Sequence, residues 1–316
     1  FYRNVMYKPG EESEDAACLK LYDGHDWKWF RAGLLHTDME YLRRHWSGKK
    51  SSAPVLEKRR QKYFLRFSYT EEVTLSKTPV KDQLICSVDL GINTDAVCSI
   101  MRSDGTVLDR KFINFPSEKD RLSHVLGRIR RFQKEHGSKQ IGSRWAYAKR
   151  LNTELARKTA RSIAEYAHEN HADVIVFEYL EMKGKISGKK RQKLHLWKKR
   201  EIQTMCEHKA HRYGIRVSRV CAWNTSRLAY DGSGPVSRDP KNHSLCVFQS
   251  GKQYNCDLSA SYNIGARYWI REIIKTLPET ERSSLEAKVP AVKRRTSCVY
   301  ADLLILQNEY GCSKAA

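Results

Sequence analysis

No run of 18 apolar residues occurs along the 316 residues, so no membrane-spanning helix is expected. No basic-then-apolar leader follows Phe1, so no signal peptide is read, and the absent initiator Met suggests a chain that begins inside a longer reading frame. No C-x-x-C pair occurs, although nine cysteines do, at positions 18, 86, 98, 206, 221, 246, 256, 298 and 312. Their number is odd and their spacing irregular, which points to reduced cytosolic thiols rather than a disulfide framework. Cys86 and Cys98 fall in apolar runs and read as core residues. Glycine (17) and proline (8) are too few for a collagen-like chain, no internal repeat is found, and 40% hydrophobic residues suit one large or two modest globular domains. Acid is scarce. Against 58 Lys and Arg stand 36 Asp and Glu, a net charge of +22, which fits a polyanionic partner, usually nucleic acid. An anionic membrane is the competing partner, but no basic helix with a wide apolar face is found.

Residues 1–80 read as strands and irregular segments of a small β-rich domain. Lys62 to Leu75 alternates well enough for one long strand or a hairpin arm. From residue 83 the pattern changes. Gln83 to Leu90, Ala96 to Met101 and Thr106 to Phe115 predict three antiparallel strands, the last two joined by a Ser103-Asp104-Gly105 turn. Ser117 to His136 and Ser143 to Asn170 keep a helical apolar period, and Gly137 stops the first. Val174 to Phe177 is wholly apolar, as a buried parallel strand is, and ends at Glu178. Lys189 to Tyr213 reads as helix closed by Gly214, Ile215 to Val220 as strand, residues 221–256 as irregular and turn-rich, and Leu258 to Lys275 as helix. A last helix is expected near Tyr300 to Asn308. The order β-β-β-α-α-β-α-β-loop-α is that of the ribonuclease H-like fold, an α/β class with a mixed five-stranded sheet.

Three acids stand out by position. Asp89 interrupts the apolar strand Ile85-Cys86-Ser87-Val88-Asp89-Leu90-Gly91, Glu178 ends Val174-Ile175-Val176-Phe177-Glu178, and Asp257 immediately precedes a helix. Each has a plainer reading alone: a strand end for Asp89, a lysine partner for Glu178, an N-cap for Asp257. A carboxylate beside a buried strand is costly unless paired or bound to a cation. Together, on two strands and a helix start, the three read as hard oxygen ligands for Mg²⁺. Two such ions about 4 Å apart clamp the attacking and leaving oxygens of a phosphodiester.

The segments Ser87-Val88-Asp89-Leu90-Gly91-Ile92-Asn93, Val176-Phe177-Glu178-Tyr179-Leu180 and Asp257-Leu258-Ser259-Ala260-Ser261-Tyr262-Asn263-Ile264 resemble the three split motifs of RuvC-like nucleases. More narrowly, they resemble those of the TnpB proteins of insertion sequences and type V CRISPR effectors. Asn224-Thr225-Ser226 after a strand adds to the likeness, which covers roughly residues 60–275. The resemblance implies a metal-dependent, RNA-guided DNA endonuclease of the prokaryotic cytosol, nucleoid-associated when bound. Asp89, Glu178 and Asp257 would be its catalytic ligands to two Mg²⁺ ions (Mn²⁺ able to substitute), with guide RNA and target DNA as partners. It also implies that residues 1–80 are part of a wedge-like domain, that 81–220 and 257–316 form the RuvC-like domain, and that 221–256 is the insert where the family carries a zinc ribbon. Relatives that lose an acid bind without cutting. An RNA-guided binder is therefore the alternative, and a guide-independent nuclease of structured DNA a weaker third reading.

The ribbon departs from the family pattern. Ser226-Arg227-Leu228-Ala229 stands at the first cysteine pair, and only Cys246 of the second remains. Cys221, His243, Cys246 and Cys256 are the residues available to regroup around zinc, at spacings unlike a ribbon. No zinc is expected, and a metal-free remnant held by Trp223, Tyr230, Phe248 and Tyr254 is.

Basic side chains complete the reading. Arg128 and Arg131 on the first long helix, Arg150 and Arg157 on the second, and Lys189, Lys190, Arg191, Lys198, Lys199 and Arg200 are assigned to nucleic-acid phosphates. The last six belong to Lys183 to Arg200, where 9 of 18 residues are basic. His195 and Trp197 are candidates for stacking on bases, with core packing the plainer role for Trp197.

Overall fold

The computed structural model describes residues 1–2, 4–10, 13, 15–59, 61–137, 141–179, 196–239, 242, 244–293 and 296–315. They form two units, Phe1–Val73 and Thr74–Ala316. The second begins before residue 80 because Ser76 and Thr78 donate to the Asp173 carboxylate (2.6 and 2.5 Å), and the Ser76 N–H donates to the Gly214 carbonyl (2.7 Å).

The first unit holds a three-stranded antiparallel meander, β1 (Tyr7–Pro9), β2 (Ala16–Tyr22) and β3 (Trp27–Gly33). Helix α1 (His36–Trp46) follows, then the short strands β4 (Lys50–Ser51), β5 (Val55–Arg59), β6 (Lys62–Arg66) and β7 (Tyr69–Thr70). Of the two expectations for Lys62 to Leu75, the hairpin arm holds over Lys62–Arg66 and the single long strand does not. β6 closes a hairpin with β5, while β7 pairs with β4, because the Ser68 carbonyl turns to accept the Ser52 N–H (3.0 Å).

In the second unit, β8 (Leu84–Asp89), β9 (Ala96–Arg102) and β10 (Val107–Ile113) make the expected meander. Gly105, at φ 91°, supplies the left-handed turn residue between the last two. Helices α2 (Pro116–His136) and α3 (Gly142–Glu169) then cross over to β11 (Val174–Tyr179), parallel to β8. Helix α4 (Lys199–Arg212) leads to β12 (Arg216–Cys221), parallel to β11. The sheet order β10-β9-β8-β11-β12 makes this the mixed five-stranded α/β sheet expected.

Alternation in the central strands sorts the core into two layers. Cys86, Val88, Ile175 and Phe177 face α3 and α4, meeting Ile163, Ala164, Ile202 and Cys206. Ile85, Val174 and Val176 face the other way, onto α5 (Cys256–Thr276), where Trp269, Ile270 and Ile274 cover them. Gly265 lets α5 lie this close, since a Cβ there would come 2.4 Å from the Met101 sulfur.

Three regions differ from expectation. The helix expected over Lys189 to Tyr213 is not continuous: Trp197 and Lys198 are not helical and α4 begins at Lys199, while residues 180–195 lie outside the described part. The chain there is pinned to α3, with Asn152 donating to the Leu196 carbonyl (2.7 Å) and Lys198 to Thr153 (2.7 Å). Residues 221–256 carry a small antiparallel sheet, β13 (Ser237–Arg238), β14 (Leu245–Val247) and β15 (Gln253–Asn255), with strands too short to show a period. After α5 come α6 (Glu279–Lys288) and α7 (Pro290–Lys293), which the sequence reading did not separate, and then the expected α8 (Tyr300–Ala315).

Candidate active site

Asp89 and Glu178 sit at matching levels on neighbouring strands. Val88 pairs with Phe177 in the parallel β8–β11 register, so each acid is the next residue of its strand. Val88 and Phe177 face α3 and α4, so Asp89 and Glu178 face α5. Both are only 7% exposed. Asp257 lies in the first turn of α5, on that same face of the sheet. It does not cap the helix: Asn255 does, its side chain accepting the Leu258 N–H (2.9 Å). The plainest alternative role for Asp257 is thereby taken by another residue.

The electrostatics tie the three together. Burial pushes the Asp89 carboxyl well above the usual range, and the charges of Glu178 and Asp257 push it further, against the pull of Arg238. Burial also raises Glu178, opposed by a hydrogen bond from the Thr225 hydroxyl and by the charges of Arg267 and Lys199. Asp257 is raised by burial and held down by Arg238 and by the Thr94 side chain. Such a cluster of like charges is a standing cost that a cation relieves. All its donors are carboxylate oxygens, the donor type that hard divalent ions select. As the side chains stand, no group of three His, Cys, Asp or Glu among the described residues is placed to hold a metal ion. The Glu178 carboxylate is turned towards Thr225.

The Gly91 turn sets the rim of the site. A Cβ on Gly91 would lie 2.5 Å from the Thr94 carbonyl oxygen, which is backbone and has little room to yield. Thr94 in turn reaches Asp257. Gly91→Ala is expected to open this turn and cost about 1–3 kcal/mol, read as a lower unfolding midpoint in urea.

Several members of this cluster escape a sequence reading. Arg238, on β13 of the insert, is the cation that opposes the charge of both Asp89 and Asp257. It stands in an irregular basic stretch with no period to give it a direction. Thr225 is legible as part of a motif but not as a partner of Glu178. Gln203, one turn into α4, donates to the Glu178 backbone carbonyl (2.9 Å) and fixes the strand end.

The assigned phosphate-binding residues divide by burial. Arg128 and Arg131 on α2, Arg150 and Arg157 on α3, and Arg200 are exposed. Tyr147 lies between Arg121 and Arg150, at 5.9 and 5.8 Å from its ring centre. Lys198 is half-buried and bonded to Thr153 and Glu201. Lys199 differs from the expected exposed cation: it is buried, with its ammonium over the Trp197 ring. A basic run cannot show which of its members the fold turns inward. Trp197 packs against the core, its plainer reading. Lys189, Lys190, Arg191 and His195 lie outside the described residues.

In the insert, Ala229, Cys246, Phe248 and Cys256 form a small core with Tyr230 and Tyr254 against it. Trp223 does not join them; it sits in the preceding turn, 59% exposed. Cys221 is exposed at the end of β12, apart from this core, and His243 lies outside the described residues.

Comparison with known proteins bears on the sequence and the fold. The family model described as Cas12f1-like, TNB domain, matches residues 200–264, from α4 through the insert into α5. A TnpB-like protein of Aquifex aeolicus (strain VF5) is 26% identical over 247 residues, covering 71% of this chain and 79% of that protein. A TnpB-like protein of Acidianus two-tailed virus is 28% identical over 204 residues, 58% of this chain and 42% of that protein. The solved structure of the mini RNA-guided endonuclease CRISPR-Cas phi3 superposes with a TM-score of 0.51 at 14% identity, over 79% of this chain and 57% of that one. The chain spans about half the length of the solved structures it matches. In sequence and fold the chain is therefore TnpB-like and type V effector-like, with a RuvC-like α/β domain.

Proposed function

We propose that this chain carries the nuclease centre of an RNA-guided DNA endonuclease, with Asp89, Glu178 and Asp257 as its catalytic carboxylates. One observation carries the reading: three acids from distant parts of the sequence are brought onto one face, where burial makes the charge of each costly and Glu178 and Asp257 add to the cost at Asp89. A fold retains such a cost where function requires it. The three carboxylates would hold two Mg²⁺ ions, or Mn²⁺ in their place. When bound, these supply electrostatic stabilisation to the attacking and leaving oxygens of a phosphodiester. In the reaction a water oxygen would add to phosphorus as the bond to the 3′ oxygen breaks, the water losing a proton to solvent and the 3′ oxygen taking one up, to leave a 5′-phosphate and a 3′-hydroxyl. Thr94 steadies Asp257, and Gln203 and Thr225 steady Glu178. Arg238, whose charge acts on Asp89 and Asp257, would offset charge that grows on the phosphate oxygens.

Guide RNA and target DNA are the partners this reading requires. The charge of +22 supports them, as do the exposed arginines of α2 and α3. In the first unit, assigned to a partial wedge-like domain that contacts guide RNA, Trp27, Trp29 and Phe30 are exposed, with Lys8 over the Trp29 ring (5.1 Å). Replacing Arg128, Arg131, Arg150 and Arg157 together by Ala is expected to weaken nucleic-acid binding and flatten its salt dependence. The slope of log K against log salt should fall by about 3, as measured by fluorescence anisotropy.

The alternative is an RNA-guided binder that represses without cutting. The altered ribbon favours it; the complete set of acids favours the enzyme. Protein purified with its RNA and mixed with guide-matched DNA separates them. Cutting in Mg²⁺ that stops in EDTA is the expected result. Salt-sensitive binding with intact DNA in both conditions would establish the binder.

A further inference from the structure

We infer that Thr225 and Ser226 form a positioning corner that sets the distance between the Glu178 carboxylate and the Arg238 guanidinium. This rests on the reading of Glu178 as a ligand and Arg238 as a phosphate contact. The Thr225 hydroxyl donates to a Glu178 oxygen, and Thr225 is only 2% exposed. The next residue uses its backbone: the Ser226 carbonyl accepts from Arg238 Nη2 (3.1 Å). Two successive residues thus hold a negative and a positive group of one site, and a shift of the corner moves both.

The corner is itself tied to the helix that carries Asp257. Asn263, fully buried on α5, donates through Nδ2 to the Thr225 carbonyl and to the Leu228 carbonyl, both at 2.9 Å. Its Oδ1 accepts the Tyr300 N–H at the start of α8 (3.0 Å), so every strong group of this amide is used. One turn further on, Arg267 donates to the Cys221 carbonyl (2.7 Å) and fixes the end of β12 just before the corner. The chain from 221 to 228 is therefore held against α5 at three points. Glu178, Arg238 and Asp257 belong to one hydrogen-bonded frame rather than to three independent elements. A hydrogen bond to a ligating carboxylate fixes its orientation, and removing such a bond commonly costs 10–100-fold in metal affinity.

The test compares the parent with Thr225→Val, which keeps the shape and removes the hydroxyl, and Thr225→Ser, which keeps the hydroxyl. Mn²⁺ affinity is measured by electron paramagnetic resonance, with circular dichroism to establish folding. Thr225→Val is expected to bind Mn²⁺ about 10-fold or more weakly, with Thr225→Ser close to the parent. In cleavage, kcat should fall for Thr225→Val with KM for DNA unchanged. If Thr225→Val fails to fold, Thr225→Ala carries the same expectation. Asp89→Asn serves as the control for the underlying reading. Parent-like Mn²⁺ affinity in Asp89→Asn would overturn the carboxylate site itself. Loss of Mn²⁺ in Asp89→Asn beside parent-like affinity and kcat in Thr225→Val would overturn the corner alone, as would a Thr225→Ser variant no better than Thr225→Val.

Discussion

Asp89→Asn is expected to stabilise the metal-free protein while abolishing its cutting. Burial, together with the charges of Glu178 and Asp257, makes an ionised Asp89 costly in the folded parent. The neutral amide keeps the shape and removes the repulsion. A gain of about 1–2 kcal/mol is the scale such relief reaches, or roughly 2–8 °C in the thermal midpoint. The pH dependence fixes the cause. The folded Asp89 carboxyl titrates above its unfolded value of 3.8, so the folded parent takes up its proton first as pH falls. The parent therefore gains stability through that window, and the variant cannot. The advantage of Asp89→Asn should be largest near neutral pH in EDTA and shrink on acidification. A constant advantage at all pH would assign the effect to packing. Added Mg²⁺ should raise the midpoint of the parent and leave the variant unmoved.

Arg238→Ala carries the second large effect. Arg238 is exposed on the insert, so its loss leaves no buried hole. Its charge acts on both Asp89 and Asp257, and in the proposed reaction would act likewise on a phosphate brought to those carboxylates. A cation aimed at charge that develops in the transition state is worth about 10²–10³ in rate. The expected result is a fall of that size in kcat for DNA cleavage, with DNA affinity within about threefold of the parent, since one phosphate contact among many is lost. A large loss of affinity with kcat intact would make Arg238 a binding residue only. Arg238→Lys should recover part of the rate, because the charge remains while the forked geometry does not.

Much of this centre is legible in the sequence because it sits on periodic elements. Asp89 and Glu178 end apolar runs. Once Val88 and Phe177 are taken as core residues, alternation sends both acids to the opposite face. Asp257 is harder, since an acid before a helix is ordinarily a cap. Asn255, two residues earlier with Leu258 three residues beyond it, is the better cap and leaves Asp257 unclaimed. That distinction is written in the sequence, in the spacing of Asn255 and Leu258. Other features have no local signal. The charge of Arg238 acts on the carboxylates from a two-residue strand of the insert, paired with β14 and distant in sequence from each acid strand. Thr225 finds Glu178 across 47 positions. Lys199 is buried because Trp197 and the start of α4 fold over it, which a run of basic residues cannot reveal. The break at Trp197 depends on Asn152 of another helix. Local pattern places the strands and the acids; long-range side-chain contacts decide which basic and hydroxyl residues join them.

The measurement that bears most directly on this centre is cleavage of guide-matched DNA in Mg²⁺ by the parent and by Asp89→Asn, Glu178→Gln and Asp257→Asn, each purified with its RNA. Each variant is expected to lose at least about 10³-fold in rate, roughly 4 kcal/mol of transition-state stabilisation, while binding the DNA as the parent does. Cutting at the parent's rate by any one of the three would contradict the assignment of that carboxylate and with it the three-acid centre.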